Sequence, residues 1–214
     1  MIDLSGRVVI VTGGNSGIGL GIARGAARAG ASVAIWSRRA ERNAGAVAEL
    51  EGLGATAIGV RCDVSDEGNV AAAMRETLDR FGRLDCLVAN AGTIGKQPFT
   101  DMSLAEWHRV LQVNLDGAFL CLREAARVLV RQEQGGSLVA VSSTSAIDGA
   151  PGQEHYAASK TALLAVMRSL AVELARHKVR CNSLLPGWTD TELLAGAKTH
   201  EKFVTATTPL PIRA

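Results

Sequence analysis

Tyr156 and Lys160 are the residues whose types and spacing point most directly to chemistry. They stand four positions apart at the start of an alanine-rich apolar run, and on a helix such residues share one face about one turn apart. An ammonium near a phenol favours the phenolate and lowers its pKa from about 10. A tyrosine with a lowered pKa can exchange protons near neutral pH. The pair also fits a tyrosine packed toward the core and a lysine reaching solvent, so the chemistry needs support from the rest of the chain.

A glycine-rich turn near the N-terminus is the second chemical signal. The β-branched run 8–11 predicts a buried strand of a parallel sheet, residues 20–29 predict a helix, and the segment between them reads TGGNSGIG. In that setting Gly13 permits a tight turn, Gly17 lets the backbone approach a pyrophosphate, and Gly19 lets the helix pack on the strand. The helix N-terminus offers amides and a positive dipole to an anion. This order predicts a dinucleotide site; the alternative is a tight turn that binds nothing.

The end of the second predicted strand, 32–36, bears on the choice of cofactor. An NAD-binding unit often places an acid there that accepts from the ribose 2′-hydroxyl, but this chain reads Ser37, Arg38 and Arg39. A carboxylate would repel a 2′-phosphate, whereas arginine binds it in a bidentate geometry. The sequence therefore favours NADP(H) over NAD(H). The alternative is that both arginines are ordinary surface charges at the start of the next helix.

The remaining chain keeps alternating between strands and helices. Further strands are predicted at 55–62, 84–89, 137–141 and 178–185, and further helices at 41–52, 66–81, 104–130 and 156–177. Unbroken alternation predicts right-handed crossovers and a parallel sheet. A chain of 214 residues is long enough for one such domain. We therefore expect a single-domain α/β protein with a Rossmann-like, doubly wound parallel sheet and helices on both faces.

Small and polar residues follow several of these strands, at the edge where doubly wound sheets bind ligands. Asp63 can accept from an adenine amine or cap the helix 66–81, for which Ser65 is a rival cap. The turn 90–92, Asn-Ala-Gly, lets a ligand approach the backbone. Ser143, thirteen residues before the tyrosine, can donate to a substrate oxygen or simply end its strand.

One residue interrupts the long helical pattern 104–130. Asn114 lies among apolar residues, disfavours regular helix, and needs hydrogen-bond partners when buried. Two interpretations stay open: a hydrogen-bonded core asparagine at a kink, or a backbone distortion that helps to hold a catalytic water. At the start of this helix, Ser103 and Glu106 have the spacing of a capping box.

Composition and charge argue against several classes of function. A net charge of +2, with basic and acidic residues interspersed, does not indicate a nucleic-acid or membrane partner. No apolar run reaches the roughly 20 residues of a membrane span, and the first residues lack a secretory pattern. Four cysteines without paired spacing, Cys62, Cys86, Cys121 and Cys181, are expected to be buried free thiols. We expect a cytoplasmic protein without a metal site.

Together these motifs resemble those of the short-chain dehydrogenase/reductase family, in its single-domain type. The matching residues are the glycine segment 12–19, Asp63, Asn90, Ala91, Gly92, Asn114, Ser143, Tyr156, Lys160, Pro186, Gly187, Thr189 and Thr191. They occur in the family's order and spacing from about residue 4 to the end of the chain. The resemblance implies an oxidoreductase that interconverts a secondary alcohol and a ketone with a nicotinamide cofactor.

The resemblance also implies roles for individual residues. Tyr156 corresponds to the general acid/base, Lys160 to the residue that lowers its pKa and binds the nicotinamide ribose, Ser143 to the group that steadies the substrate carbonyl, and Asn114 to the one that positions a proton-relay water. The predicted cofactor contacts also include Gly13, Asn15, Ser16, Gly17, Ile18, Gly19, Ser37, Arg38, Arg39, Asp63, Val64, Asn90, Ala91, Gly92, Pro186, Gly187 and Thr189. Ser16 stands where members that prefer NADP often carry a basic residue, which leaves Arg38, helped by Arg39, as the main partner of a 2′-phosphate.

The chain ends earlier than family members usually do. They continue through another helix and a last strand, so we expect both to be missing from a fragment, a truncated product or a natural short form. This end leaves a second function open, a protein that binds NADP(H) with little or no turnover. The resemblance implies a homodimer or homotetramer whose interface uses the helices that carry Asn114 and Tyr156.

The substrate pocket is expected to be partly apolar. It would be lined by the loop 93–99 and the segment after Thr191. The candidate lining residues are Ile94, Pro98, Phe99, Leu193 and Leu194, with Gln153, Glu154 and His155 as polar contacts. Sugar, polyol, steroid and acyl ketones all fit this description.

Overall fold

The computed structural model of the chain describes residues 2–190 and 212–213. Six parallel strands form the main sheet in the order β3-β2-β1-β4-β5-β6. They are Val8–Thr12 (β1), Ser32–Ser37 (β2), Ala57–Arg61 (β3), Cys86–Ala89 (β4), Gly136–Val141 (β5) and Val179–Leu184 (β6). The winding reverses between β1 and β4, and in such sheets the carboxyl ends of the two strands at the reversal border a crevice that binds ligands. The predicted doubly wound, Rossmann-like sheet is confirmed.

Helices connect the strands and cover both faces of the sheet. They are Gly17–Arg28 (α1), Ala40–Gly52 (α2), Glu67–Phe81 (α3), Leu104–Leu111 (α4), Gly117–Gln132 (α5), Ser145–Asp148 (α6) and Glu154–Glu173 (α7), with 3-10 turns at Phe99–Asp101 and Ala175–His177. One buried apolar cluster packs α1 and α2 on one face, and a second packs α3, α5 and α7 on the other. All five residues of β1 are buried, which explains why its sequence is a continuous apolar run.

A π-helical turn, Gln112–Asp116, separates α4 from α5. It lies at the interruption that the sequence predicted, and Asn114 in its middle is fully buried. The next residue, Gly117, packs closely against the loop that follows β3, because a Cβ on Gly117 would lie 2.9 Å from Cγ2 of Val64. Both the distortion and the buried asparagine are therefore present, and π turns inside helices frequently lie at functional sites.

The start of α3 differs from the prediction. Asp66 is the capping residue, because its carboxylate accepts from the backbone N–H of Asn69 at 2.7 Å. Neither Asp63 nor Ser65 caps the helix. Instead, Oδ1 of Asp63 accepts from the backbone N–H and the hydroxyl of Ser65 at 3.0 and 2.7 Å, so these two residues form a turn that precedes the helix.

The start of α4 agrees with the prediction in part. Ser103 accepts from the backbone N–H of Glu106 at 3.1 Å, which is the predicted cap. The Glu106 side chain does not complete the box, because it binds Arg109 instead. Helix α7 starts at Glu154, two residues before the predicted start.

The chain beyond residue 190 is described only at Ile212–Arg213, which pairs in parallel with Thr189–Asp190. The expected lack of the family's last helix and strand, and the predicted roles of Thr191, Leu193 and Leu194, lie outside the described residues. Within them, no helix is long and apolar enough to span a membrane.

The four cysteines are free, and burial raises the pKa of each thiol. Cys62 and Cys121 are buried as expected, whereas Cys86 and Cys181 are half-buried. A raised pKa keeps a thiol protonated and poorly nucleophilic.

Candidate active site

A cavity of about 470 Å³ lies at the carboxyl ends of the strands around the β1–β4 reversal. Every predicted catalytic or cofactor-binding residue lines it except Asn114. Residues that the sequence analysis did not select also line it: Trp36, Cys62, Val113, Val141, Ser142, Thr144, Ser145 and Trp188. The fold thus brings the glycine turn and the tyrosine–lysine pair, which are far apart in sequence, into one space.

The glycine turn has the close packing that its sequence predicts. Gly13 has a φ of +63°, a conformation that favours glycine. A Cβ on Gly19 would overlap the carbonyl oxygen of Gly13 and the side-chain nitrogen of Asn90. The Ser16 side chain makes no capping hydrogen bond at the start of α1. The first amides of α1 therefore remain suited to an anion.

Thr12 joins the ends of β1 and β4. Its hydroxyl oxygen accepts from the backbone N–H groups of Asn90 and Ala91, both at 2.9 Å. The side chain of Asn90 returns a hydrogen bond from Nδ2 to the carbonyl oxygen of Thr12 at 2.9 Å. These bonds fix the 90–92 turn against the glycine turn. The predicted ligand-facing turn is therefore held rigidly at the floor of the cavity.

Asn43 is a buried polar residue that the sequence analysis missed. Its Oδ1 accepts from Nδ2 of Asn15 at 2.9 Å and from the hydroxyl of Ser37 at 2.5 Å, and its Nδ2 donates to the carbonyl oxygen of Val60 at 3.0 Å. Asn15 and Ser37 line the cavity, whereas Asn43 supports them from behind. The sequence contained a signal for its burial, because Asn43 has helical spacing with Ala46 and Leu50 and shares the buried face of α2 with them.

Arg38 and Arg39 lie at the end of β2, at the edge of the cavity. Both are exposed, and within residues 2–190 no ion pair holds either guanidinium. An unpaired guanidinium beside a nucleotide cavity is chemically suited to a phosphate. The position fits the predicted partner of a 2′-phosphate.

Tyr156 and Lys160 both lie on α7 and line the cavity, but they do not contact each other through hydrogen bonds. Burial raises the pKa of the Tyr156 phenol, and a hydrogen bond with Ser143 opposes that shift. Nζ of Lys160 donates to the carbonyl oxygen of Val141 at 2.8 Å and lies 5.7 Å from the centre of the Tyr156 ring. The predicted lowering of the tyrosine pKa has no counterpart in this geometry, so that effect of Lys160 stays a prediction.

Lys160 is almost completely buried, with 4% of its surface exposed. Burial lowers the pKa of its ammonium to about 8, because a low-dielectric environment disfavours the charged form. A lysine with this pKa can exchange protons near neutral pH.

The Tyr156 phenol can be titrated directly because it is the only tyrosine in the chain. We expect tyrosinate absorbance to develop above pH 10 in the folded protein, since burial raises the pKa, and at about pH 10 after unfolding in denaturant. The Tyr156→Phe variant supplies the baseline. Titration of the folded protein at or below pH 10 would show that burial does not dominate and would support the predicted lowering of the pKa by Lys160.

Asn114 does not line the cavity, because its side chain is committed to the neighbouring loop. Its Oδ1 accepts from the backbone N–H of Thr93 at 2.7 Å, and its Nδ2 donates to the carbonyl oxygen of Thr93 at 2.9 Å and to the Ser159 hydroxyl at 3.2 Å. The side chain of Asn114 therefore holds the loop that follows the 90–92 turn. Its predicted role in positioning a water stays a prediction.

The substrate end of the cavity contains some of the expected residues. Ile94 and Gln153 line it. Pro98, Phe99 and Glu154 do not, and Phe99 is 67% exposed on the outside. The expected polar contact from His155 is wrong, because its ring is fully buried and faces Glu106 across 3.4 Å.

The reversed winding of the sheet, the glycine turn and the cavity define an α/β protein of the Rossmann-like, nucleotide-binding class. A family model described as short chain dehydrogenase matches residues 7–202. The chain therefore belongs to the short-chain dehydrogenase family, whose members are oxidoreductases.

Individual relatives resemble most of the chain. An L-rhamnose 1-dehydrogenase (NAD(P)(+)) from Sphingomonas sp. (strain SKA58) is 42% identical over 212 residues, covering 97% of this chain and 83% of the relative. A short-chain type dehydrogenase/reductase from Mycobacterium marinum aligns with a TM-score of 0.95 and 34% identity, over 99% of this chain and 85% of that chain. A 3-ketoacyl-(acyl-carrier-protein) reductase from Brucella melitensis, solved with NADH, aligns with a TM-score of 0.85 and 33% identity, over 90% and 79% of the two chains.

Proposed function

We propose that this chain is an NADP(H)-preferring oxidoreductase that interconverts a secondary alcohol and a ketone within one nucleotide-binding domain. The observation that carries the proposal is the shared cavity, which joins the glycine turn to Tyr156, Ser143 and Lys160. A dinucleotide fits the residues present, because the glycine turn lines the cavity beside the start of α1, where the Ser16 side chain makes no capping hydrogen bond to the first amides. The bound nicotinamide would supply or accept the hydride.

The residues of the chain then handle the proton and the developing charge. In the reducing direction, Tyr156 donates its proton to the carbonyl oxygen of the substrate, and Ser143 donates a hydrogen bond to the same oxygen. A donor aimed at a developing oxyanion contributes about 3 kcal/mol to transition-state stabilisation. Both residues line the same cavity, and the Ser143 hydroxyl is close enough to the phenol to oppose the rise of its pKa, which supports this assignment.

Lys160 is proposed to help restore the tyrosine proton, together with a water near Asn114. Its pKa of about 8 allows proton release and uptake near neutrality. Asn114 and Lys160 both approach Gly92, where a Cβ would lie 3.3 Å from Oδ1 of Asn114 and 3.6 Å from Nζ of Lys160. A side chain at position 92 would therefore crowd the space between them.

Arg38 is proposed to select NADP(H). Replacement of Arg38 by alanine should weaken NADPH binding by roughly 10- to 100-fold, because a charge-assisted hydrogen bond contributes about 1.5–3 kcal/mol. NADH binding should change by less than about twofold, since NADH carries no 2′-phosphate. Fluorescence titration with both cofactors measures the ratio.

Arg39→Ala is the matched control for Arg38→Ala, and we expect a smaller change in the same direction. Equal losses for NADPH and NADH in Arg38→Ala would contradict the assignment of the 2′ site. So would an Arg38→Ala protein whose preference for NADPH is unaltered.

The substrate class is proposed from the relatives and from the mixed character of the pocket. The relative from Sphingomonas is named an L-rhamnose 1-dehydrogenase, and the cavity is lined by the polar Gln153 as well as by the apolar Ile94. Sugars and polyols therefore head the panel, followed by steroid and acyl ketones. NADPH or NADP⁺ turnover against this panel, beside cofactor titration, tests the proposal; cofactor binding with no turnover on any member would favour a binding protein instead.

We also propose a homodimer or homotetramer. Two helices on one face of the sheet present exposed apolar residues, Phe119 on α5 with 47% of its surface exposed and Val172 on α7 with 82%. A contact between two copies of the chain on this face of the sheet would cover both side chains. Light scattering at micromolar concentration measures the mass, and a monomer there would contradict this proposal.

A further inference from the structure

The loop after the 90–92 turn is held by a polar cluster of Glu106, Arg109 and His155, which we call the loop clamp. Sequence spacing does not reveal this cluster, because Glu106 and Arg109 lie on α4 whereas His155 lies on α7. We propose that Arg109 is a positioning residue that fixes the loop 93–95, and with it Ile94 at the substrate end of the cavity. The inference rests on the proposed function for its catalytic consequence, but its geometry stands independently.

Arg109 binds Glu106 and the loop at the same time. Its Nε and Nη2 donate to the two carboxylate oxygens of Glu106 at 2.7 and 2.8 Å. The same side chain donates from Nη1 to the hydroxyl of Thr93 at 3.2 Å and from Nη2 to the carbonyl oxygen of Ile94 at 3.1 Å. Glu106 thus aligns the guanidinium, and the guanidinium holds two consecutive loop residues.

Asn114 completes the attachment from the same helical run. Its amide makes one hydrogen bond to the backbone N–H of Thr93 and one to its carbonyl oxygen. Asn114 and Arg109 together make four side-chain hydrogen bonds to the segment Thr93–Ile94. In a sheet, the backbone of a neighbouring strand would make such bonds. No strand pairs with residues 93–95 among the described residues, and the backbone hydrogen bond from Gln97 to the carbonyl oxygen of Gly152 lies beyond them. The two side chains therefore hold Thr93 and Ile94.

Gly95 shows how closely the loop passes the clamp. A Cβ there would overlap the carboxylate of Glu106 and would lie 2.7 Å from Nε2 of His155 and 3.1 Å from Nη2 of Arg109. Because no side chain fits at this position, the backbone itself packs against the three clamp residues.

His155 connects the clamp to the catalytic helix. Its ring is fully buried, and its Nε2 lies 3.4 Å from Oε1 of Glu106. Its Nδ1 has no hydrogen-bond partner within the described part of the chain, so Glu106 provides the polar contact of this ring. Since His155 directly precedes Tyr156, the clamp ties the substrate loop to the helical turn that carries the tyrosine.

The clamp is separate from the residues that contact the proposed dinucleotide. Ile94 is the loop residue that lines the cavity, whereas the cofactor end is formed by the glycine turn and the end of β2. A more mobile loop should therefore impair substrate positioning without weakening the binding of the cofactor. A general loss of stability would affect both.

The test is Arg109→Met in the full chain, with Arg127→Met as the matched control. Arg127 makes the same kind of ion pair three residues from its partner, with Glu124 at 2.6 Å, and is similarly exposed, but it does not touch the loop. We expect amide hydrogen exchange in the peptide spanning 90–99 to accelerate about tenfold in Arg109→Met, with NADPH affinity within about twofold of wild type. Arg127→Met should change neither.

A second variant, Arg109→Lys, keeps the charge but cannot span Glu106 and the loop, so the same acceleration is expected with the fold retained. With a substrate from the panel, both Arg109 variants should lower kcat/KM by about tenfold or more. Unchanged exchange in 90–99, or equal effects of the Arg109 and Arg127 variants, would overturn the inference. Failure of the wild type to bind NADPH would sink the proposed function alone, because the exchange comparison needs no cofactor.

Discussion

Replacement of Tyr156 by phenylalanine is expected to abolish nearly all turnover while cofactor binding is kept. The variant removes only the hydroxyl that is proposed to exchange the proton, and general acid–base catalysis contributes roughly 10²–10⁴-fold. The carbonyl oxygen would lose its proton donor and one of its two proposed hydrogen-bond donors, which leaves only Ser143 from the same cavity. We therefore expect the rate to fall toward the upper end of that range.

Steady-state turnover and fluorescence titration with NADPH measure the two halves of this prediction. NADPH affinity should change by less than about threefold, since the ring of Tyr156 stays in place. Ser145→Ala is a control from the same cavity wall, and its turnover should remain within about threefold of wild type. Full activity of Tyr156→Phe would refute the assignment of the acid/base.

Replacement of Gly19 by alanine is expected to remove cofactor binding. A Cβ at this position would overlap the backbone carbonyl of Gly13, so the clash cannot be relieved by a side-chain rotation. The start of α1 must move away from the glycine turn, and its amides then lose their alignment with a phosphate. Loss of two charge-assisted hydrogen bonds weakens binding by roughly 100-fold or more.

The same helix supplies the control for this variant. Gly21 is exposed, and a Cβ there would meet nothing within 4 Å. Gly21→Ala should bind NADPH normally and unfold with a free energy higher by about 0.5–1 kcal/mol, because alanine replaces glycine inside a helix. Gly19→Ala should unfold more easily by about 1–3 kcal/mol. NADPH binding by Gly19→Ala at wild-type affinity would show that the turn is not the cofactor cradle.

The sequence predicted those features that depend on local pattern. The continuous apolar run of β1 predicted a strand buried on both faces, and the glycine spacing predicted the turn into α1. Asn114 predicted the break in the helix because a buried amide conflicts with regular helical packing. The end of α3 was easier to predict than its start. Three side chains that can accept a capping hydrogen bond, those of Asp63, Ser65 and Asp66, lie within four residues, and the structure shows that Asp66, with its extended backbone, is the cap.

Features that depend on distant partners were not predictable from spacing. Lys160 was expected to act on Tyr156 because the two share a helix face, yet its ammonium donates to the carbonyl oxygen of Val141, nineteen residues away. Asn43 contacts Asn15, and Arg109 contacts Thr93, because the fold brings these distant residues together. The sequence predicted His155 to be a polar residue of the substrate pocket, but its ring is buried against Glu106 of α4.

Transfer of deuterium from 4-deuterated NADPH to a carbonyl carbon tests the central proposal most directly. Wild-type protein is incubated with the labelled cofactor and the ketone panel, and the products are examined by mass spectrometry beside Tyr156→Phe. We expect one class of ketone to yield an alcohol that carries deuterium at the carbinol carbon, in the wild type and not in the variant. Wild-type protein that binds NADPH yet labels no product, or a variant that labels products as fast as the wild type, would contradict the proposal.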